Sequence, residues 1–421
     1  MHITILVLGS RGDVQPYVAL GRGLQDAGHR IRVVTFESFA PLVREQGLDF
    51  EPVKGDAQAI LNNAAGVGLM ESTGNVFTAL RGVLKTYGAL VDDYIDAFSS
   101  PRLRNTDAII DQLPGCLFGF DLAEKLHVPH IIASVIPLVA TRAWPLPLIQ
   151  WPALGGWANR LSYTAMEQAT WRVFRSAINR FRKKLDLPPS RFFGHFGTMA
   201  ARRDPVIQGF SPRVVPPPAD WGTRVHTTGY WLLREEDWQP SPSLTAFLES
   251  GSPPVFVGFG SMPMRDPKAT TTTVLEALRQ SSQRAILSSG WAGLGESDLP
   301  DHVMQIGYAP YSWLFPRMAA IVHHGGSGTT GLALRSGVPS IVVPFGADQP
   351  YWGRRVFDLG AGPEPVPFKK LTAERLADAI RKAVTDEATR QRAADLGAAL
   401  HSEDGLGDAV RAITAYLNSA F

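Results

Sequence analysis

Apolar residues in this chain fall into short dense runs that alternate with stretches spaced at a helical period. Residues 3–8 form one such run, closed by Gly9, as expected of a strand buried on both faces. Over residues 16–27 the apolar positions Val18, Leu20, Leu24 and Ala27 recur at helical spacing, and Gly28 supplies a stop. Residues 31–36, 108–110 and 130–135 read as further strands, with a helix over 121–126 between the last two. This succession predicts a parallel sheet wrapped by helices. It breaks at 138–157, a stretch without acids that carries Trp144, Trp151 and Trp157, and a long basic helix follows over about 159–185. After Pro216-Pro217-Pro218 the pattern restarts, with strands at 255–259, 284–288, 319–323 and 340–344 and helices at 270–280 and 328–336. A last helix is expected near 408–418.

The doubled pattern predicts an α/β protein with two doubly wound, Rossmann-like parallel-sheet domains facing across a cleft. The expected boundaries are 1–228 for the first domain, 229–242 for a linker and 243–402 for the second domain. Residues 403–421 come after the second domain is complete, and their helix is expected to return to the first. In such sheets ligands bind beyond the carboxyl ends of the strands, so the chemistry is sought in those loops.

Composition narrows the classes. With 45% hydrophobic and 19% charged residues, the 421-residue chain suits a globular protein of two domains and not a disordered one. A formal net charge of +2 gives no reason to expect nucleic acid. The lone cysteine, Cys116, cannot make an internal disulfide, and neither a signal peptide nor a membrane-spanning run is read, which together suit a cytoplasmic protein. The basic helix has two readings, a solvated charged face or a weak contact with anionic lipid.

The richest segment is His323-His324-Gly325-Gly326-Ser327-Gly328-Thr329-Thr330-Gly331, which follows a strand and opens a helix. Glycines allow close backbone approach, and free amides at a helix start attract an anion, so the segment suits a diphosphate. A glycine turn serving tight packing alone explains the glycines equally well. Gly326, Gly328 and Gly331 also fit the dinucleotide fingerprint, with Asp348 near the place of a ribose-binding acid. Asp348 and Gln349 side by side, however, offer acceptors and donors for vicinal hydroxyls, as a sugar presents. The paired histidines lack the companions of a zinc site, and no metal is called for. Gly260 and Ser261 at another strand end could donate to the same phosphates, while Trp291 lines a nucleotide pocket or caps the core. In the first domain Arg11 could reach a diphosphate, and Asp13 reads either as a helix N-cap or as a general base.

Taken together these residues resemble glycosyltransferase family 1 enzymes of GT-B fold. The likeness is nearest to sterol glucosyltransferases and to bacterial glycopeptide and polyketide glycosyltransferases. It rests on Gly9-Ser10-Arg11-Gly12-Asp13-Val14-Gln15-Pro16, Gly258-Phe259-Gly260-Ser261-Met262-Pro263, the 314–356 stretch, Thr141-Arg142-Ala143-Trp144-Pro145 and Lys369-Lys370-Leu371-Thr372, and it covers nearly the whole chain. The resemblance implies that Asp13 is the base of an inverting, metal-independent transfer. Ser10, Arg11, Ser261, His323, Gly325, Ser327, Gly328 and Thr329 would then hold the donor diphosphate. Asp348 and Gln349 would hold its sugar, and Gly260, Trp291, Tyr308 and Ala309 its base and ribose. Leu69, Met70, Trp144 and Trp151 are candidate walls for an apolar acceptor.

Plant members carry a ribose-binding glutamate where this chain has Gly331, which leaves UDP and dTDP donors both open. The expected reaction is transfer of glucose from UDP-glucose, as co-substrate, to a hydroxyl of a sterol or similar polycycle, with no cofactor and no obligatory protein partner. A dTDP-deoxysugar transferase for a glycopeptide or polyketide aglycone is the alternative. A non-catalytic sugar-nucleotide sensor and an NAD-dependent oxidoreductase are the remaining classes.

Overall fold

A computed structural model describes residues 1–56, 58–59, 88–112, 117–148, 155–233, 235, 238–290, 293–295 and 299–420. The chain divides into two units, Met1–Leu233 with Asp404–Phe421, and Arg234–Glu403.

Among the described residues, the first unit holds seven parallel strands: His2–Leu6 (β1), Arg30–Phe36 (β2), Asp49–Val53 (β3), Ala108–Gln112 (β4), His130–Ser134 (β5), Val206–Gln208 (β6) and Val225–Thr227 (β7). Their order is β3-β2-β1-β4-β5-β6-β7. Ile3 and Ile5 are fully buried, and so are Val33 and Val34 beside them in β2, which accounts for the unbroken apolar runs. Burial of each such side chain stabilises the fold by about 1.5–3 kcal/mol. Pro52, which can donate no ladder hydrogen bond, is tolerated because β3 is an edge strand.

The first helix spans Arg11–Asp26, five residues longer at its start than its apolar spacing indicates. Pro16 therefore lies inside it rather than opening it, and Ser10 is the N-cap. The Gly405–Ala420 helix packs on this helix at Gly23, where an added Cβ would come within 3.1 Å of Leu406 and Val410. It starts hard against the backbone of Gly229, because a Cβ on Gly405 would lie 2.4 Å from that residue's carbonyl carbon.

Among the described residues, the second unit holds five parallel strands: Val255–Gly258 (β8), Ala285–Ser288 (β9), Val303–Ile306 (β10), Ala320–His323 (β11) and Ser340–Val342 (β12). Their order is β10-β9-β8-β11-β12. Its core includes Phe256, Phe315, Ile286 and Ile321, all fully buried. Each sheet reverses its direction of winding once, between β1 and β4 in the first unit and between β8 and β11 in the second. Ligands of doubly wound sheets bind at such reversals, beyond the carboxyl strand ends. Among the described residues no helix is long and apolar enough to cross a membrane.

Candidate active site

In the first unit the reversal point carries Gly9, Ser10, Arg11 and Asp13. The exit of β1 is tied to that of β4 by the Leu8 amide, which donates to Gln112 Oε1 at 2.9 Å. Asp13 is not the N-cap. It stands in the first helical turn and reaches back, its Oδ2 accepting from the Ser10 amide at 2.8 Å and from the Ser10 hydroxyl at 2.9 Å. Gly9 makes room for this. Its φ of +136° suits glycine, and a Cβ there would lie 2.5 Å from Asp13 Oδ2. Burial raises the Asp13 carboxyl above the ordinary carboxylate range, against the two Ser10 bonds that lower it. Arg11 is half-buried and its Nε donates to Gln15 Oε1 at 3.4 Å.

In the second unit five strand ends converge on one edge. β11 ends in His323, fully buried. Its Nδ1 accepts from the Gly325 amide at 3.1 Å, so the ring proton of the neutral form sits on Nε2. Among the described residues that buried Nε2 has no hydrogen-bond partner. Desolvation, with His324 as the lesser cause, pushes the His323 imidazole down to about 3, so it is neutral at working pH. The result is an uncharged buried N–H with nothing to donate to, which an anionic oxygen would satisfy.

The loop that follows is glycine-built. Gly325 has φ +92°, and a Cβ on it would lie 2.7 Å from Val342. His324 fills the space that Gly260 and Gly326 leave, since Cβ atoms there would come within 3.1 Å and 2.5 Å of its ring. The two imidazoles stand at 87° with centroids 6.5 Å apart. The Ser327–Arg335 helix then begins, with Ser327 buried and Thr329 half-buried in its first turn. Gly328 has nothing within 4 Å of a would-be Cβ, so this turn borders open space. Ser261 is half-buried after β8.

Beyond β12, Ala347 adopts φ +52°, a left-handed conformation costly for alanine, directly before Asp348. Asp348 is half-buried, and its Oδ2 accepts from the Trp352 indole at 2.7 Å. Gln349 is buried, with Oε1 closing the loop through the Phe345 amide at 2.7 Å and Nε2 donating to the Met262 sulfur at 2.9 Å. Ala309 is buried, whereas Tyr308 is exposed and its hydroxyl donates to Glu235. Trp352, which sequence reading passed over, holds Asp348, and Gly9, read there only as a strand end and part of a motif, makes room for Asp13. Trp352 lies one helical turn after Asp348, a spacing that could have drawn attention to it.

Trp144 is half-buried, meets Trp221 edge-on with centroids 5.8 Å apart and packs against the Leu146 and Tyr163 cluster. Leu69, Met70, Trp151 and Trp291 lie outside the described residues.

Comparison with known proteins gives the family and the fold. Residues 3–145 match the glycosyltransferase family 28 N-terminal domain, and residues 275–412 match the erythromycin biosynthesis protein CIII-like C-terminal domain. A sterol 3-beta-glucosyltransferase of Arabidopsis thaliana is 37% identical over 426 residues, 99% of this chain and 68% of that protein. This chain belongs to the sterol 3-beta-glucosyltransferase family. A fungal member from Neosartorya fischeri is 38% identical over 98% of this chain but 29% of its own length. The chain thus spans about two thirds of the plant relative and under a third of the fungal one. Solved structures place it on the GT-B fold of natural-product glycosyltransferases. The kitacinnamycin glycotransferase covers 99% of both chains with a TM-score of 0.69 at 20% identity. The calicheamicin glycosyltransferase CalG4 covers 99% of this chain and 98% of its own, with a TM-score of 0.65 at 19% identity.

Proposed function

We propose that this family member transfers glucose from UDP-glucose to a sterol hydroxyl with inversion. The observation that carries the reading is the neutral, buried His323 Nε2–H at the second unit's reversal point, without a partner and beside an open helix start. Such donors stabilise a departing diphosphate without holding a charge of their own. Ser261, the Ser327 and Thr329 hydroxyls and the helix amides, Gly328 among them, would share that load, with Ser10 and Arg11 assisting. Asp348 would hold the sugar's hydroxyls from its post against Trp352. Gln349 would offer the second amide proton left over from Met262. The β10 exit at Tyr308 and Ala309 would meet the nucleotide base.

Asp13 is the proposed base. The acceptor oxygen bonds to the anomeric carbon as its proton passes to the Asp13 carboxylate. The anomeric C–O bond breaks and its electron pair leaves with UDP. Burial raises the Asp13 carboxyl, and a base whose pKa moves toward the working pH gains proton affinity. The sterol acceptor is supported by the relatives, which are sterol 3-beta-glucosyltransferases.

The test is incubation of the purified chain with UDP-glucose and a panel of sterols, flavonoids and polyketide aglycones, with and without EDTA. A hexose-shifted sterol carrying a β-linkage, formed in EDTA, is expected. An α-linked product, or transfer confined to a dTDP-sugar and a polyketide, would replace this reading.

A further inference from the structure

We propose that the first unit docks on an anionic lipid bilayer through the outward stripe of the Gly156–Lys184 helix and the turn at Phe192-Phe193. Residues 157, 161, 165, 168, 172 and 175 share one face of that helix by its 3.6-residue period. Trp157 is 77% exposed and Leu161 48%, and further along the same face lie exposed Arg172 and Arg175. Against this face rests a tight turn whose two corners are Phe192, 66% exposed, and Phe193, 68% exposed. Turn corners ordinarily carry glycine, proline or small polar residues.

The rings are held outward by construction. The Gly194 amide closes the turn on the Arg191 carbonyl at 3.0 Å. Trp171 Nε1 donates to the Phe192 carbonyl at 2.7 Å, and Gln168 Nε2 donates to the Phe193 carbonyl at 3.1 Å. Gly194 has φ +78°, and a Cβ there would strike the buried Trp171 ring at 2.5 Å. The backbone of the turn is thereby clamped to the helix while both rings stay in solvent, stacked edge to face with centroids 5.0 Å apart. Arg175 lies over the Phe192 ring at 5.3 Å, and Arg191 is exposed at the turn's first position.

The charge on the stripe is of one sign. The helix contains one acid, the half-buried Glu167, off the stripe by about a third of a turn. Three of the basic residues nearer its end are engaged within the unit, Arg180 with Asp92, Arg182 with Asp121 and Glu124, and Lys184 with Asp96. The lipid reading therefore belongs to the aromatic half of the helix and not to its basic tail. Aromatic rings flanked by arginines suit the interface of an anionic bilayer. A second copy of the chain would set arginine against arginine. The inference adds to the sterol reading a route to an acceptor that resides in bilayers. Vesicle binding is read without turnover, so either can fail alone.

The test is co-sedimentation of the full chain with vesicles of phosphatidylcholine alone and of phosphatidylcholine with phosphatidylserine in equal parts. Binding to the mixed vesicles is expected, weakening with salt. Phe192→Ser/Phe193→Ser should reduce it on the order of tenfold or more with an unchanged melting temperature, the rings being exposed. Arg172→Gln/Arg175→Gln/Arg191→Gln should cost on the order of a hundredfold and abolish the salt dependence, each cation near an anionic surface being worth about fivefold. Equal binding to both vesicle types, no binding to either, or a dimer in ultracentrifugation that the phenylalanine variant dissolves would overturn the proposal.

Discussion

At the end of β1 the chain places a carboxylate, and at the end of β11 it places an imidazole that burial keeps uncharged. Both stand at the reversal point of a doubly wound sheet, on loops whose glycines a methyl group would jam. Their surroundings differ in kind. Asp13 is half-buried, and Ser10, a neighbour three residues away, holds one of its oxygens, Oδ2, through two hydrogen bonds. His323 has its Nδ1 satisfied locally and its Nε2 left without a partner. The contrast teaches that the same fold feature can be tuned for taking a proton or for stabilising a charge that appears elsewhere. The first needs an anion, and the second works from a neutral donor that avoids the larger cost of burying a charge at rest.

The sharpest way to break this comparison is Asp13→Asn, which should lower kcat by about 10²–10⁴-fold while calorimetric UDP affinity stays put. Turnover near wild type would remove the base from β1. His323→Ala should cost about 10²–10³-fold in kcat and weaken UDP binding as well, the opposite split. If UDP affinity were untouched, the orphan N–H would not face a phosphate.

Acid sharpens the contrast further. His323 and His324 titrate near 6.5 when unfolded, but burial lowers them to about 3 and about 4 in the fold. The unfolded chain then binds more protons between those values, so their contribution to stability is full above pH 6.5 and declines as pH falls. Between pH 7 and 5 the second unit should lose roughly 4 kcal/mol, visible in urea titrations. The raised Asp13 carboxyl predicts instead an acid limb in kcat, centred above the ordinary carboxylate value. Flat stability with the same kinetic limb would show that the imidazoles are not desolvated.

Gly9→Ala retains every chemical group yet should displace Asp13, with a loss on the order of tenfold to a hundredfold in kcat. Trp352→Phe should have the smallest effect, about threefold to tenfold in the KM for UDP-glucose with UDP affinity unchanged, because one hydrogen bond that orients Asp348 is lost. A change in UDP affinity would mean that Asp348 serves the nucleotide and not the sugar.

Much of the fold was legible because strands buried on both faces write themselves as apolar runs, as β1, β8 and β11 do. β6 and β7 were not, since three residues are too few to show a period and β7 is half-buried throughout. β3 was disguised by Pro52, which an edge position tolerates. At the site, the phosphate-type loop was readable from its glycines and position. The choice between cap and base at Asp13 was not, because a first-turn acid reaching back to Ser10 looks the same in sequence whichever task it serves. The orphaned Nε2 of His323 depends on which ring nitrogen the Gly325 amide finds, a matter of three-dimensional geometry that no spacing encodes. The clamped phenylalanines at 192 and 193 were equally silent, since a sequence does not say which aromatic rings fail to find a core.

The return of the Gly405–Ala420 helix to the first unit has a consequence for biogenesis. The second unit is, in covalent order, an insertion into the first. On the ribosome the first unit must wait, with the Gly23 face of its opening helix uncovered, while the whole insertion is synthesised and free to fold. Translation thus lays down all seven strands of the first sheet before the second sheet begins, yet delivers the helix that covers the Gly23 face only after the second sheet is made.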